Sequence, residues 1–386
     1  MLEKINWQRD NLGNYLYMFS LTLYLIVNFA AGTTLSKALG LGTMLVLLRL
    51  SQLATVIVFL KIIFLDKHKF NTLLAFIAGA GFLLVACKQA RELEPLFMFI
   101  FMVGAYNINF KEILDKYILV ILTMFLLIYI ATLFGLVPNN IMWRAESGQI
   151  RAGLGLSTSS DMAAHSFYLM LAFALVHNFS LKRQQIGFLG LIAVLVFALT
   201  NSRLDGILMG LLLVCLYFRQ QIFQFIRFIG KKGVVLFVLL YALGDLALTY
   251  FFDINNRWYA LLDNFLSHRL LFGKIAFEKY PLLFLGQYIH QNGNGDPRGY
   301  VKYYFIDSAF VQAWMMFGIL FSIFMMCVLF FLIFKAYQYM YYSLVLALIL
   351  IVISMAINHH FWNISYNIVL LATLARLPHY ESYESD

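Results

Sequence analysis

The sequence predicts an all-α polytopic membrane protein with about twelve transmembrane helices. Hydrophobic residues make up 62% of the 386 residues and charged residues only 12%, a balance that soluble globular domains do not have. The apolar residues are also gathered into runs long enough for helices to cross the hydrocarbon core of a bilayer. We therefore expect a single transmembrane domain over residues 1–386, surrounded by lipid.

The apolar runs give the predicted spans in chain order, and they differ in length. The run at 304–334 is long enough for a tilted helix that extends beyond the lipid. The predicted spans are residues 15–32, 42–64, 70–87, 95–110, 117–136, 162–180, 186–200, 204–219, 233–252, 304–334, 341–357 and 361–375. Between two of them, residues 219–232 alternate aromatic and basic side chains, which is typical of a segment at the inner interface.

The distribution of Lys and Arg over the short loops predicts the orientation, because cytoplasmic loops carry an excess of basic residues. With the N-terminus inside, the short outer loops carry only Lys37, Lys88, Arg91 and Arg203. The inner segments carry Lys4, Arg9, Lys61, Lys67, Lys69, Lys111, Lys116, Lys182, Arg183, Arg219, Arg227, Lys231, Lys232, Lys335 and Arg376. Both termini are therefore predicted to lie in the cytoplasm. The net charge of +9 is explained by topology rather than by a nucleic-acid partner.

Two longer outer loops, at about 137–161 and 253–303, are predicted to form the active site. They hold further basic residues on the side where topology does not require them, namely Arg144, Arg151, Arg257, Arg269, Lys274, Lys279, Arg298 and Lys302. Because the positive-inside rule does not account for basic residues in outer loops, they indicate an anionic ligand outside the membrane.

The larger outer loop is predicted to contain amphipathic helices. Apolar residues recur at helical spacing over residues 258–266, which is typical of a helix lying on the membrane surface. Pro281 should end the next helix, which carries Arg269. Residues 291–299 combine Asn-Gly steps with Asp-Pro and lack the Lys-Ser/Thr ending of a nucleotide-binding loop, so they are interpreted as a flexible lid or bend.

Arginine is the residue type best suited to an anionic phosphate ligand, since its guanidinium keeps its charge and presents a fixed fork of donors. Arg203 and Arg269 are the first candidates, and Lys274 follows Arg269 closely. The alternatives are that Arg203 is an interfacial arginine paired with Asp205 and that Arg269 is a solvated charge on a surface helix.

Asp307 and His290 are the candidates for proton transfer. Asp307 is either the cap of the tenth span, favoured by the helix dipole, or a general base beside a cationic cluster. His290 has a side chain able to shuttle protons near neutral pH, although a single loop histidine is often inert.

The smaller outer loop adds Arg144 and Arg151 in a stretch whose glycines allow close approach of a ligand. Ser159, Ser160 or Asp161 can cap the sixth span, and His165, four residues after Asp161, is expected to form a structural pair with that aspartate. Arg49 lies inside the second span and must pair or face a cavity. His359 and His360 follow Asn358 without a third ligand at suitable spacing, so no metal or other cofactor is expected.

Several of these segments resemble the O-antigen ligases and Wzy-type polysaccharide polymerases. Residues 269–286, an arginine followed by an aromatic-rich helix and the ending KYPLLFLG, are similar to the segment that opens the large outer loop of that family. Residues 307–319, DSAFVQAWMMFGI, resemble its acidic or histidine residue with a small polar residue, an apolar stretch and a glycine. The sequence TNSR at 200–203 matches a serine-arginine after a short span. Arg144 and Gly155 fit an arginine, ten residues and a glycine in the third outer loop.

The resemblance implies a metal-independent, inverting glycosyltransferase of the bacterial cytoplasmic (inner) membrane that uses an undecaprenyl-diphosphate-linked glycan donor and acceptor on the outer face. Arginines would bind the diphosphate, and Asp307 or His290 would activate the acceptor hydroxyl. A chain-length regulator and a flippase are the partners it implies. Where ligases carry His-Asn, this chain has Asp307 and Ser308, which favours a polymerase.

Three alternatives stay open at this point. One is ligase-like transfer of the glycan to another acceptor. A lipid-linked sugar flippase or other transporter should show repeat symmetry and interrupted helices along a central path. A noncatalytic scaffold leaves the outer arginines unexplained.

Overall fold

The chain folds as a bundle of α-helices with one short β-hairpin, and the computed structural model describes residues 2–143, 148–293 and 303–378. The first half contains α1 (Leu2–Ala31), α2 (Thr34–Ala38), α3 (Leu41–Phe64), α4 (Phe70–Ala90), α5 (Glu94–Gly104), α6 (Phe110–Leu133), β1 (Ile141–Trp143), β2 (Ile150–Ala152) and α7 (Ser159–Val176). The second half contains α8 (Arg183–Thr200), α9 (Arg203–Tyr217), α10 (Arg219–Tyr250), α11 (Arg257–Phe265), α12 (Arg269–Lys279), α13 (Ala309–Gln312), α14 (Ile319–Gln338) and α15 (Tyr342–Met355).

Eight helices in the described part of the chain are long and apolar enough to cross a membrane: α1, α3, α4, α6, α7, α8, α10 and α14. Between 17% and 67% of the residues in their most apolar stretches are buried inside the protein, so many of the remaining apolar side chains face outward. A bilayer is the surroundings in which such exposure is stable. The predicted all-α, multi-pass membrane fold is therefore confirmed.

Contacts between distant parts of the chain gather at the two ends of the bundle. At one end, which we call the Asp307 end, Thr33 pairs with Leu156 and the Arg151 Nε donates to the Thr200 carbonyl at 3.1 Å. At the other, the Lys335 end, the Lys335 Nζ donates to the carbonyls of residues 372, 373 and 375.

The predicted last span, residues 361–375, is not an α-helix. It contains two 3-10 turns, His360–Trp362 and Ile368–Thr373, and most of its side chains are buried. The buried Tyr117 hydroxyl donates to the carbonyls of Ser365 at 3.1 Å and Tyr366 at 2.9 Å. Irregular backbone is stable inside a membrane protein when side chains satisfy its polar groups in this way.

The predicted span at 304–334 is also not one continuous helix. The helix begins at Ala309, widens into a π-helical turn over Ala313–Phe317, breaks at Gly318 and resumes as α14. Gly318 has a φ of 93°, a left-handed conformation that glycine adopts without strain. The break separates the non-helical segment 303–308 and the short helix after it from the membrane helix.

The region that was predicted as an interfacial segment followed by a span is one element, α10, bent at Gly230 with a φ of 65°. The predicted amphipathic helix of the larger outer loop is present as α11, and Trp258 on its apolar face is 79% exposed. The helix that carries Arg269 ends at Lys279, two residues before Pro281, as predicted. Arg49 donates to Gln52 at 2.9 Å on the same helix.

Candidate active site

Four consecutive residues at the Asp307 end, 357–360, each contact a different element, and we call them the hub loop. The Ile357 carbonyl accepts a hydrogen bond from the Arg269 Nε at 2.7 Å. The next residue, Asn358, donates to Asp205 at 2.7 Å. His359 and His360 contact further elements, with the His359 ring 4.8 Å from that of Phe305 and the His360 Nε2 3.6 Å from the Asp161 Oδ1. The hub loop therefore joins α12, α9, the segment 303–308 and α7.

Arg269 is held in one orientation at the start of α12. Besides the Ile357 contact, its Nη1 donates to the Leu266 carbonyl at 2.9 Å, and its Nη2 lies 3.8 Å from the Asp307 Oδ2. The side chain is only 11% exposed. A guanidinium has five N–H donors in a rigid fork, so two backbone contacts orient it and leave other donors for a ligand.

Asp263 on α11 explains why α12 begins where it does. Its buried Oδ1 accepts hydrogen bonds from the backbone N–H groups of Leu270 at 3.0 Å and Leu271 at 3.1 Å, and its Oδ2 lies 3.0 Å from the His268 Nδ1. A carboxylate at this place satisfies unpaired donors of the first helical turn and is stabilised by the helix dipole. Asp263 thereby positions Arg269, a role that the sequence interpretation missed.

Asp307 is not the cap of the tenth span. The Ser308 side chain caps α13 by accepting from the Val311 N–H at 3.3 Å, and it also donates to Asp245 at 2.7 Å. Asp307 is left facing Arg269, with a side chain 22% exposed. Burial raises the pKa of Asp307 above its ordinary value, and the Arg269 guanidinium opposes that shift. The group is therefore a more basic carboxylate than an exposed aspartate.

Arg203 is the first residue of α9, and its guanidinium has no hydrogen-bond or ion-pair partner within residues 2–143, 148–293 and 303–378. The alternative in which it pairs with Asp205 is not formed. Asp205 instead accepts from the Ser202 hydroxyl at 2.6 Å and from Asn358. Asp205 is fully buried and Arg203 is partly exposed.

Tyr303 connects Arg151 to the pair of Arg269 and Asp307. Burial raises the pKa of Tyr303, the Asp307 carboxylate raises it further, and the charges of Arg269 and Arg151 oppose the rise. The phenol is therefore within electrostatic reach of all three groups. Arg151 is held there because its own side chain, on β2, is tied to the carbonyl of Thr200.

The predicted pair between Asp161 and His165 is wrong. Asp161 lies beside His360, whereas the His165 ring stacks on Tyr366 with centroids 3.5 Å apart and its Nδ1 has no hydrogen-bond partner in the described part of the chain. The His360 ring stacks on Tyr366 as well, with centroids 3.7 Å apart. Spacing of four residues puts Asp161 and His165 on one helix face, but a side chain from the distant hub loop competes successfully for the carboxylate.

A buried polar layer continues from the hub loop into the bundle. The Asn363 side chain donates to Glu94 at 2.7 Å, and the Ser365 hydroxyl lies 2.7 Å from the oxygens of both Asn28 and Asn363. Just before α5, burial raises the pKa of Glu92, and His360 opposes the rise. These groups tie α1 and α5 to the last segment of the chain, beneath the site.

The other predicted site residues lie apart or outside the described residues. Lys274 donates to the Tyr250 carbonyl at 2.8 Å at the end of α10. The exposed His290 contacts Tyr288, with its Nδ1 3.0 Å from the hydroxyl, and no contact in the described residues joins it to Arg269 or Asp307. Arg144 and Arg298 lie outside the described residues. Their predicted roles stay predictions.

Two glycines of the resemblance segments, Gly286 and Gly318, are in direct contact. Both have positive φ, 82° and 93°. A Cβ on Gly318 would lie 2.6 Å from the Phe284 carbonyl oxygen, and one on Gly286 would lie 2.7 Å from the Phe317 carbonyl carbon. The Leu283 carbonyl accepts from the Ile319 N–H at 3.1 Å. The chain after α12 therefore covers the start of α14 and fixes the segment 303–308 above it.

At the Asp307 end the hub loop thus joins the elements that carry Arg203, Arg269 and Asp307. No group of three or more His, Cys, Asp or Glu side chains in the described part of the chain has the geometry of a metal site. Asn358 and the two histidines were considered only as metal ligands from the sequence; their place between two apolar runs is the signal that could have pointed to this site. No family model, curated protein or solved structure matches the chain.

Proposed function

We propose that the protein polymerises undecaprenyl-diphosphate-linked oligosaccharide repeat units on the outer face of the bacterial cytoplasmic membrane, by inverting and metal-independent glycosyl transfer. The observation that carries the proposal is the placement of the Arg269 guanidinium 3.8 Å from the Asp307 carboxylate, at the end of the bundle where Arg203 is partly exposed. A phosphate-binding group and a base side by side are what transfer from a sugar diphosphate to a hydroxyl requires.

In the proposed topology both termini are cytoplasmic and the Asp307 end faces outward. The chain would cross the membrane twelve times, with eight passes made by the long helices. Three shorter helices, α5, α9 and α15, and the irregular segment after the hub loop account for the other passes.

The arginines would stabilise the leaving group. When the bond between the anomeric carbon and the diphosphate oxygen breaks, its electron pair and negative charge go to the lipid diphosphate. Cations fixed before the reaction stabilise that charge without having to reorganise. Arg203, Arg269 and Arg151 are the proposed ligands of the diphosphate, with Arg144, Arg298 and Lys274 as further ligands.

Asp307 would accept the proton of the acceptor hydroxyl as its oxygen attacks the anomeric carbon from the opposite face, which inverts the configuration. Two observations support Asp307 over His290 in this role. The carboxylate lies beside Arg269, and burial raises its pKa, which brings a base closer to the pH at which it works. His290 is exposed in a loop, where its position is less well fixed.

The rival function is transport of a lipid-linked sugar. The gathering of charged groups at one end of the bundle supports a one-sided reaction centre over a transport path, in which sites lie near the bilayer midplane. Transfer to an acceptor other than a repeat unit is a ligase-like variant of the same chemistry. It would use the same arginines and the same base.

The test is removal of the chain from the cell that makes it. Lipid-linked single repeats should accumulate on the outer face and long polymer should disappear, and the wild-type chain should restore polymer while Asp307→Asn should not. Unchanged polymer would refute the function. Accumulation of the repeats on the cytoplasmic face would instead assign the chain to transport.

A further inference from the structure

The hub loop anchors the first turn of α9 through a buried hydrogen bond. The Asn358 Nδ2 donates to the Asp205 Oδ1 at 2.7 Å, and the other carboxylate oxygen accepts from the Ser202 hydroxyl at 2.6 Å. Asn358 is 4% exposed and Asp205 is fully buried. Both oxygens of Asp205 are therefore occupied. Arg203 lies between Ser202 and Asp205 in the chain, so this contact sets where its backbone stands.

The neighbouring residue of the hub loop holds the second arginine. The Ile357 carbonyl accepts from the Arg269 Nε at 2.7 Å. Two residues that are adjacent in the chain thus hold the elements that carry Arg203 and Arg269, which are 66 positions apart in sequence. Adjacent Cα atoms stand about 3.8 Å apart across a trans peptide. The two anchoring contacts are consequently made from neighbouring backbone positions of one short loop.

A diphosphate presents two phosphate groups at a short, fixed separation, so two guanidiniums serve it only if their own separation is fixed. We infer that Asn358 is a positioning residue that sets Arg203 against Arg269 for joint binding of the donor diphosphate. The inference rests on the proposed function of the two arginines. Asn358 itself touches Asp205 and not the ligand.

Exchanging the side chains of Asp205 and Asn358 separates the effect of the hydrogen bond between them from the effect of the charge of the protein. At a pH at which both groups are charged, Asn358→Asp places two carboxylates against each other in a buried space, which removes the hydrogen bond and adds the repulsion of like charges. In the double variant Asp205→Asn with Asn358→Asp, the new amide at 205 donates to the new carboxylate at 358. The net charge of the protein is unchanged and the hydrogen bond is restored.

Asn367→Ala provides the matched control. Asn367 lies on the same terminal segment, is buried, and donates to the Phe361 carbonyl at 3.0 Å. Its loss weakens the segment without touching Arg203, Arg269 or Asp205. A role of Asn358 that is only structural would make Asn358→Asp and Asn367→Ala behave alike after correction for their unfolding temperatures.

The measurement uses the purified full chain and inorganic pyrophosphate as the probe. Phenylglyoxal modifies accessible arginines, and peptide mass spectrometry reads the modification of Arg203 and Arg269 separately. Pyrophosphate should protect both residues of the wild type over one concentration range. Asn358→Asp should need about tenfold more pyrophosphate or a larger excess, whereas the exchange variant and Asn367→Ala should resemble the wild type.

Each other result overturns the inference. Protection of Asn358→Asp at wild-type concentrations removes the positioning role and leaves the diphosphate site standing. If the exchange variant folds but pyrophosphate does not protect its arginines at wild-type concentrations, the positioning role is likewise refuted. This result decides whether Asn358 positions the arginines if Asn358→Asp alone does not fold. If pyrophosphate protects neither arginine in the wild type, the proposed diphosphate site falls, and the positioning role falls with it.

Discussion

Replacement of Arg269 by Lys tests the geometry of the site more than its charge. The guanidinium makes two backbone contacts through different nitrogens, Nε to Ile357 at 2.7 Å and Nη1 to Leu266 at 2.9 Å, while Nη2 faces Asp307. Lysine has one ammonium at the end of a flexible stem. The ammonium can replace one of these three nitrogens, but it cannot make the contacts of the other two at the same time.

The magnitude of the effect follows from the strength of a single hydrogen bond to a charged group. Such a bond contributes about 1.5–3 kcal/mol, and about 1.4 kcal/mol corresponds to a tenfold change in rate. Loss of one such bond to the diphosphate in the transition state should therefore lower the rate of polymer formation by about 10- to 150-fold.

The assay compares polymer length and lipid-linked single repeats in cells that express Arg269→Lys at wild-type levels. Arg257→Lys is the matched control, because Arg257 is exposed at the start of α11 and belongs to no contact of the site. The control should make normal polymer. Normal polymer from Arg269→Lys as well, at equal expression, would refute the assignment of the guanidinium to the donor diphosphate.

Four further predictions follow from the same contacts. Asp307→Asn keeps the size of the side chain and removes its basicity, so it should accumulate single repeats at normal expression; normal polymer from it, with none from His290→Ala, would reverse the two roles. Because burial raises the pKa of Asp307, activity should be full at high pH and fall as the pH drops through that raised value, which lies above the ordinary value of about 3.9; an unchanged pH profile in a variant at position 307 that keeps residual activity would contradict this. Gly318→Ala forces a Cβ against the Phe284 carbonyl at a φ of 93° and should destabilise the protein by about 1–3 kcal/mol, measured as a lower unfolding temperature; an unchanged temperature would show that the contact yields easily. In a background without native cysteines, Asn255→Cys should be labelled from outside and Lys232→Cys only from the cytoplasm, and labelling of both from one side would overturn the topology.

The elements predicted best from the sequence are those in which local pattern decides the structure. The helix after His268 ends before Pro281, and α11 forms where apolar residues recur at helical spacing. The long apolar runs become spanning helices because burial in lipid leaves the backbone no other partner than itself. In these cases the interactions that decide the structure are close in sequence.

The elements predicted wrongly depend on partners far along the chain. The run at 361–375 is apolar enough for a helix, but the Tyr117 hydroxyl, nearly 250 positions earlier, takes its backbone carbonyls. The run at 304–334 is broken because Gly318 meets Gly286. Periodicity carries no information about such partners, so the irregular structure beneath the site was not predictable from it.

The residues of the candidate site also divide into those that the sequence indicated and those that it did not. Arg203, Arg269 and Asp307 stood out because charge is rare in this chain and costly near lipid. The hub loop did not stand out, because Asn358 and His360 act through Asp205 and Asp161, residues that the sequence interpretation assigned to other partners. Asp263 was missed because its two backbone contacts stabilise a helix other than its own.

The most direct test of the central claim is elongation by the purified protein in detergent. Lipid-linked single repeats extracted from cells that lack the protein are incubated with the wild-type chain and with Asp307→Asn, and the products are weighed by mass spectrometry. Detergent micelles have no two sides, so transport cannot contribute to any change in mass. Products heavier by whole repeats, formed by the wild type and not by Asp307→Asn, are the predicted result. Unchanged repeats after incubation with folded wild-type protein would contradict the claim that this chain is a glycosyltransferase.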